Sequence, residues 1–458
     1  MPSPRPNILF IMSDDHAAHA MGCYGSRINQ TPHMDRIAHE GVRFDNCFCT
    51  NSICAPSRAT ILTGTYSHIN GVPTLLEGLA TREHPSFPPL LQQADYQTAL
   101  IGKWHLGHEP ENEPFGFDYW NVLPGQGLYH NPKMIEMGEE KVFPGYVSDL
   151  ITDMSLDWLD RRDPDRPWCL LCHHKAPHRP WEPHERHMSL FAEDVLEPPT
   201  FDDDYANRSV AAREARMRIG RDLTLTDTKI APPAGLAGRP LKQWKYQRYI
   251  KDYLRCVQAV DDGVGRLLDY LDDQRLAEDT VVIYTSDQGF FLGDHGWYDK
   301  RFMYEESLRM PFVVRYPREI APGGVNRDIV INNDFAPTFL DYAGVPAPEI
   351  MQGRSIRPVV QGRTPPDWRE AFYYRYFMHL EASHNTTAHY GVRTRRYKLI
   401  YYYEPVPGPQ EWELFDLERD PLEMCSVYGD PAYADVVADL QSKLRELRRE
   451  CGDETNDW

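Results

Sequence analysis

Four short, largely apolar segments, each followed at once by polar residues, constrain most strongly what this chain can fold into. They span residues 7–12, 96–102, 168–173 and 280–285. Runs of this kind are typical of parallel strands buried on both faces. The clearest helical pattern between them, residues 253–271, repeats apolar side chains at spacings of three and four, and its Asp261 and Asp262 are expected to face solvent. The alternation predicts an α/β fold with a large, mostly parallel central sheet and helices on both faces.

A second pattern begins near residue 365 and predicts a smaller C-terminal subdomain. Residues 390–403 and 411–417 resemble antiparallel strands, and residues 432–449 predict a closing helix. We therefore divide the chain into a large first domain, residues 1–364, and an α+β subdomain with an antiparallel sheet, residues 365–458. Residues 195–246 of the first domain pass from an acidic run to an arginine-rich stretch, and we interpret them as an insertion. This insertion either covers the mouth of a site or forms a solvated excursion.

The charge balance argues against a nucleic-acid-binding protein. The 458 residues include 49 Lys and Arg against 68 Asp and Glu, for a net charge of −19, whereas non-specific binding to nucleic acid needs a basic surface. An anionic substrate would have to be attracted by a local group of cations or by a metal. The nine cysteines do not indicate a disulfide framework in a chain of this length, and Cys169 and Cys172 are expected to be ordinary core cysteines.

No segment of the sequence predicts a membrane protein. The longest apolar runs are strand-sized, far short of the roughly 20 residues that a spanning helix needs. Residues 1–6 lead directly into the first predicted strand and lack the apolar core of a signal peptide. As written, the chain is expected to be cytoplasmic; if a leader was removed, it would be periplasmic or secreted.

Residues with useful chemistry follow every predicted strand. They are Asp14 and Asp15 after the first, Lys103 and His105 after the second, His178 after the third, and Asp287 and Gln288 after the fourth. Ligands of open α/β sheets collect where parallel strands end. One acidic pair could simply cap a helix, but two pairs after two strands indicate a site for a hard cation such as Ca²⁺ or Mg²⁺, which prefers oxygen ligands. No His or Cys pattern suggests zinc instead.

Cys54 begins the run Cys54-Ala55-Pro56-Ser57-Arg58, which has the form C-x-P-S-R. A cysteine by itself is more often a small buried hydrophobe than a reactive group. This run, followed by a Thr-Gly pair, is the core of the signature of type I sulfatases, which belong to the alkaline phosphatase superfamily. Residues 6–15, 102–107, 284–289 and 293–296 match further blocks of that family in order. The chain therefore resembles a type I sulfatase over almost its whole length.

The resemblance implies a role for each of these residues. Cys54 would be converted by a formylglycine-generating enzyme to Cα-formylglycine, whose hydrated aldehyde is the family's nucleophile. The metal, usually Ca²⁺ with Mg²⁺ as the alternative, would be held by Asp14, Asp15, Asp287, Gln288 and position 54. Gln288 departs from the family, which usually has Asn there, and its amide oxygen lies one methylene further out. Arg58 would hold the hydrate, Lys103 and Lys300 would contact the sulfate, His105 would lie beside the hydrate, and His178 would lie near the leaving-group oxygen.

The implied activity is hydrolysis of a sulfate monoester, on a sugar rather than on a simple aryl alcohol. The sugar preference rests on residues 286–300, which are similar to bacterial sulfatases that act on N-acetylglucosamine 6-sulfate and related polysaccharide units. Two alternatives stay open: a phosphonate monoester or phosphodiester hydrolase on the same scaffold, and a binding protein in which Cys54 is never modified. The sequence leaves open whether His295 lines the pocket. Trp104, Trp181 and Trp297 are weak candidates for stacking on a sugar, since most aromatic side chains are core.

Overall fold

The computed structural model describes residues 5–403 and 411–454. Its strands are, in chain order, β1 (Asn7–Ser13), β2 (Val42–Phe44), β3 (Cys47–Phe48), β4 (Gln97–Lys103), β5 (Tyr119–Leu123), β6 (Lys133–Glu136), β7 (Glu139–Val142), β8 (Trp168–His173), β9 (Thr280–Ser286), β10 (Phe291–Leu292), β11 (Tyr298–Asp299), β12 (Phe312–Arg315), β13 (Gly324–Asn326), β14 (Val330–Ile331), β15 (Ala371–Tyr376), β16 (His389–Thr394), β17 (Tyr397–Tyr402) and β18 (Glu411–Asp416). Its α-helices are α1 (Pro32–His39), α2 (Cys54–Thr63), α3 (Ser67–Asn70), α4 (Phe87–Gln93), α5 (Val147–Arg161), α6 (Val210–Glu214), α7 (Ile219–Asp222), α8 (Leu225–Thr228), α9 (Gly238–Asp273), α10 (Glu305–Leu308), α11 (Phe335–Ala343), α12 (Arg357–Val360) and α13 (Ala434–Glu450).

Ten strands form the central sheet, in the order β13-β2-β12-β9-β1-β8-β4-β5-β6-β7. The five strands at its centre, from β9 to β5, all run parallel, and Leu9 of β1 lies between Leu170 of β8 and Val282 of β9. β12 and the β6-β7 hairpin are antiparallel to their neighbours. The predicted mostly parallel sheet is confirmed.

Alternate side chains of the central strands enter two separate cores. Ile8, Phe10 and Met12 of β1 pack on the face that is covered by α2, α4 and α11, and Leu9 and Ile11 pack on the face covered by α1, α5 and α9. Successive strand residues point to opposite faces, so a strand buried on both sides needs an unbroken apolar run. This is why those runs appear in the sequence.

Helix α9 corrects one expectation about acidic side chains. Asp262 is partly exposed, but Asp261 is buried and accepts hydrogen bonds from the backbone N–H groups of Met34 at 2.8 Å and His33 at 3.3 Å. These N–H groups lie in the first turn of α1, where a helix has no acceptors of its own. The prediction that both acids face solvent was therefore wrong for Asp261, which caps a neighbouring helix.

The C-terminal part forms the predicted antiparallel sheet, in the order β15-β16-β17-β18, with Leu440 and Leu444 of α13 in the adjoining core. Cys169 and Cys172 are buried in β8 as free thiols, as expected. Residues 195–246 carry α6, α7, α8 and the first turns of α9, and the proposed division at residues 364 and 365 stays a prediction. Among the residues that the structure describes, no helix combines the length and apolarity needed to cross a membrane.

Candidate active site

Cys54 lies at the first position of α2, deep in the molecule. All ten residues of this helix are buried, and Cys54 is 1% exposed. Pro56 fits the first turn of a helix, where its missing N–H is not needed, and Gly64 ends the helix with a left-handed φ of 66°. Burial raises the pKa of the Cys54 thiol to about 11, so the unmodified side chain is a neutral and weak nucleophile. Its sulfur marks the place that the oxygens of an oxidised residue 54 would take.

Neighbouring strands bring the other four predicted metal ligands together. β1 and β9 pair in register up to Ser13 and Ser286. The residues that follow them therefore meet at one edge of the sheet, and all are fully buried: Asp14, Asp15, Asp287 and Gln288. The backbone N–H of Asp15 donates to Asp287 Oδ1 at 3.2 Å, and Gln288 Nε2 donates to a carboxylate oxygen of Asp15.

Three buried cations face these three carboxylates. Arg58 Nε lies 2.9 Å from Asp287 Oδ2, Lys103 Nζ donates to Asp14, and Lys300 Nζ lies 2.6 Å from Asp15 Oδ1. Burial alone would lower the pKa of Lys300, but the carboxylates of Asp15 and Asp299 outweigh it and hold that pKa above its ordinary value. The arrangement gathers three cationic side chains at one point of an acidic protein, each paired with a carboxylate, where an anionic substrate could also contact them.

The donor set fits a hard divalent cation. Asp14 Oδ1 and Gln288 Oε1 are buried, and within the described parts of the chain neither has a hydrogen-bond partner. Such atoms are costly unless a bound group satisfies them. Asp14, Asp15 and His178 each bring one ligand atom to within 4.8 Å of the others. Burial raises the pKa of Asp15 to about 6 in spite of the Lys300 charge. A bound cation would stabilise the ionised carboxylate of Asp15, and oxygen donors of this type suit Ca²⁺ or Mg²⁺.

Two histidines complete this edge. His178 Nδ1 donates to the carbonyl of Arg179 at 2.6 Å, which turns Nε2 toward Asp15 Oδ2 at 3.8 Å. His105, held with a left-handed φ of 59°, places Nε2 3.3 Å from the amide nitrogen of Gln126. Burial, reinforced by the positive charge of Lys103, keeps the pKa of both imidazoles well below the ordinary value. Both effects favour the neutral form of the two imidazoles.

Three groups near the site were not assigned from the sequence. Gln126 contacts Lys103 and His105. Its position between two glycines directly after a strand could have indicated a loop residue at the site. Lys175 is buried without a hydrogen-bond partner in the described residues, and its ammonium lies 4.8 Å from the ring centre of Tyr129. His384, from the C-terminal subdomain, lies 3.0 Å from Asp299. Nothing in the sequence pointed to this last contact.

Other candidates are not at the site surface. His295 is fully buried, with Nδ1 2.9 Å from Asp203, so it does not line an open pocket. Trp181 and Trp297 are fully buried and Trp104 is 5% exposed. All three tryptophans are core side chains.

Comparison with known proteins agrees with this geometry. A family model described as Sulfatase matches residues 6–345, and one described as N-sulphoglucosamine sulphohydrolase, C-terminal, matches residues 293–450. An N-acetylglucosamine-6-O-sulfatase of Bacteroides thetaiotaomicron is 45% identical over 499 aligned positions, which cover 99% of this chain and 88% of that protein. An arylsulfatase of Clostridium perfringens is 25% identical and covers 96% of this chain and 94% of its own length.

Solved structures show the same fold. A protein solved in complex with its substrate, D-glucosamine-2-N,6-O-disulfate, superposes with a TM-score of 0.94 at 44% identity, covering 99% of both chains. The phosphonate monoester hydrolase of Agrobacterium radiobacter superposes with a TM-score of 0.77 at 21% identity, covering 98% of this chain and 96% of its own, which shows a shared fold and no more. The chain belongs to the sulfatase family, with its alkaline-phosphatase-like fold, and is a sulfuric ester hydrolase.

Proposed function

We propose that this sulfatase removes the 6-O-sulfate from glucosamine units, with N-acetylglucosamine 6-sulfate as the parent substrate. The observation that carries the proposal is the N-acetylglucosamine-6-O-sulfatase relative, which is 45% identical over 99% of the chain. The substrate of the structure with a TM-score of 0.94 also carries a 6-O-sulfate on glucosamine. No observation favours the phosphonate alternative, whose representative shares only the fold.

The cations of the site suit the charge of the substrate. A sulfate monoester is an anion, and a nucleophile that approaches its sulfur must pass negative oxygens. Arg58, Lys103 and Lys300 are each at most 2% exposed, and in such a setting their charges act with little screening by water. We assign Lys103 and Lys300 to the sulfate oxygens and Arg58 to the nucleophile at position 54.

The side chain of residue 54 and the metal complete the chemistry. Formylglycine at this position would supply a hydrated aldehyde as nucleophile, and a divalent cation held by Asp14, Asp15, Asp287 and Gln288 would offset developing negative charge. The two unpartnered oxygens of Asp14 and Gln288 support this ligand set. We propose Ca²⁺ as the ion, with Mg²⁺ as the alternative. Because Gln288 also donates to Asp15, only its Oε1 is free to bind the cation.

The proposed reaction needs one group that donates a proton and another that accepts one. His178 and Lys300 are the candidates to protonate the leaving sugar oxygen, since both lie beside Asp15. His178, whose one proton is donated to the Arg179 carbonyl, would first have to take up a second proton at Nε2. His105, which contacts no carboxylate among the residues that the structure describes, is the candidate to accept the proton from the second hydroxyl at position 54, the step that frees sulfate.

The test uses protein produced together with a formylglycine-generating enzyme, the partner that this proposal requires. Mass spectrometry of the peptide around position 54 should show a loss of about 18 Da, for the exchange of sulfur for oxygen and removal of two hydrogens. The converted protein should hydrolyse N-acetylglucosamine 6-sulfate faster than the 3-sulfate or galactose 6-sulfate. Turnover of a phosphonate monoester without turnover of any sulfate would contradict the proposal. The cellular compartment stays a prediction from the sequence.

A further inference from the structure

Gln126 occupies a loop that is built to hold its side chain at the site. The loop follows β5, which runs parallel to β4 with Leu123 opposite Lys103. Gly125 and Gly127 flank Gln126 with left-handed φ values of 54° and 67°. The left-handed φ at 127 favours glycine, and a Cβ there would also come within 2.9 Å of a Leu123 methyl group, which would have to shift.

The amide of Gln126 joins two residues of the proposed mechanism. Lys103 Nζ donates to Gln126 Oε1, and Gln126 Nε2 lies 3.3 Å from His105 Nε2. A lysine nitrogen that already donates to the Asp14 carboxylate needs another acceptor, so the amide oxygen faces Lys103. The NH₂ group must then face His105. Because an amide NH₂ only donates, the imidazole nitrogen opposite it must be an acceptor.

We propose that Gln126 is a positioning residue that holds His105 as a neutral imidazole with its proton on Nδ1. The role of His105 in the reaction rests on the proposed function, whereas the contact between Gln126 and His105 does not depend on it. His105 Nδ1 is buried and has no hydrogen-bond partner in the described residues. Its N–H is therefore free to donate to a group that enters the site, such as the nucleophile at position 54 or a sulfate oxygen.

The arrangement also sets the order of events. His105 can accept a proton at Nδ1, the nitrogen that does not face Gln126, only when its own proton is on Nε2. Gln126 must then turn its carbonyl oxygen toward Nε2, because two N–H donors cannot face each other. The amide can turn only after Lys103 leaves Oε1. A sulfate that draws Lys103 away frees the amide, so that the imidazole proton can exchange to Nε2 and be donated to Oε1, which leaves the Nδ1 lone pair to accept the proton from position 54. Binding of the anion at Lys103 thereby prepares His105 to receive a proton from the nucleophile at position 54.

The direct test is the tautomer of His105, read by ¹⁵N NMR of calcium-loaded protein labelled at histidine, with the His105 signals assigned by their loss in His105→Gln. Wild type should show a protonated Nδ1 and an unprotonated Nε2. In Gln126→Glu the carboxylate can only accept from Nε2, so this nitrogen should become protonated. Gln92→Glu, at a glutamine that donates to Asp118 away from the site, serves as the matched control and should leave His105 unchanged. A protonated Nε2 in wild type, or an unchanged pattern in Gln126→Glu, overturns the proposal.

Kinetics test the consequence for catalysis. Gln126→Ala should lower kcat about 10-fold to 100-fold, the usual scale for residues that orient a catalytic group. Gln126→Glu should move the acidic limb of the kcat/KM profile about one pH unit or more upward, because a carboxylate beside His105 favours the imidazolium and the base must be neutral. Equal profiles for Gln126→Glu and wild type contradict the proposal. If no sulfate ester is hydrolysed at all, the proposed function fails while the NMR result still decides the tautomer.

Discussion

Two groups of buried charges in this molecule differ in how completely their atoms are paired. The site group comprises Asp14, Asp15, Asp287, Arg58, Lys103 and Lys300, and the C-terminal group comprises Glu305, Arg393, Lys398 and Glu423. In the C-terminal group Arg393 binds both oxygens of Glu305, at 3.2 and 3.1 Å, and Lys398 Nζ lies 2.6 Å from Glu423. Each of its charged atoms has a partner, whereas in the described structure Asp14 Oδ1 and Arg58 Nη2 of the site group have none.

The contrast separates a structural ion cluster from a reactive one. Both groups are buried except for the partly exposed Glu305, so burial does not distinguish them. Unpartnered buried atoms are costly, and those of the site group lie among three carboxylates and three cations that meet at one edge of the sheet. The open atoms of the site group are therefore best explained by a cation and an anionic substrate that bind there. Substitutions in the site group should lower activity more than stability, and substitutions in the C-terminal group should lower stability more than activity.

The largest expected effect is the loss of the nucleophile. Cys54→Ala should reduce turnover of N-acetylglucosamine 6-sulfate by about 10⁴-fold or more, the scale seen when a catalytic nucleophile is removed. Stability should change little, because the substitution removes only the terminal atoms of one side chain and α2 keeps its other contacts. Initial rates and thermal unfolding of the same samples check both parts. Cys169→Ala, in the core strand β8, is the matched control and should lower stability without lowering the turnover of folded protein. Equal turnover of Cys54→Ala and wild type would exclude position 54 as nucleophile.

Removal of the metal should affect the site group alone. Chelation with EGTA should abolish turnover and lower the Tm by several degrees, since a ligand at a hundred times its Kd stabilises the folded state by about 2.7 kcal/mol. Added Ca²⁺ should restore both, and Mg²⁺ less completely. Asp14→Asn should lose this response, because Asp14 carries one of the open oxygens. An unchanged Tm and rate in EGTA would show that the open atoms do not hold a cation.

A break in the C-terminal group should give the reverse result. Arg393→Met leaves the carboxylate of Glu305 buried with only part of its pairing, and such losses cost about 3–5 kcal/mol. Urea unfolding measures this cost, and kcat per folded molecule should stay at the wild-type value. The double variant Arg393→Met with Glu305→Gln should recover part of the stability, since the uncompensated charge is removed. A drop in kcat with unchanged stability would mean that this group, too, serves catalysis.

The sequence predicted the site better than its surroundings for a physical reason. Parallel strands end at one edge of a sheet, so Asp14 and Asp287 could be placed together although 272 positions separate Asp15 from Asp287. Cys54 and Arg58 came from a compact motif. No sequence pattern indicated the long-range partners. His384 of the C-terminal subdomain contacts Asp299, and Asp261 of α9 caps α1. Periodicity describes one element at a time and cannot show which element lies opposite.

His295 provides the finest test, since it is a buried titratable side chain that belongs to neither group. It is fully buried, with Nδ1 2.9 Å from Asp203 and Nε2 3.8 Å from Glu306, and Arg208 is the cation nearby. Burial would lower the pKa of His295, but the two carboxylates raise it to about 9, above the ordinary value of 6.5. A raised pKa in the folded state contributes stability that is complete below about pH 6.5 and is lost as the pH rises toward 9.

The free energy of unfolding should therefore fall by up to about 3 kcal/mol between pH 6.5 and pH 9, because a tenfold difference in proton affinity between the folded and unfolded states corresponds to about 1.4 kcal/mol. In His295→Gln this decline should be flatter, while turnover at pH 7 per folded molecule stays close to wild type, because the side chain serves structure. Urea unfolding across this pH range measures the slope, with the exposed His39→Gln as the control that keeps the wild-type slope. A fall in kcat with an unchanged slope would instead assign His295 to the reactive group, so the completeness of pairing would no longer separate the two.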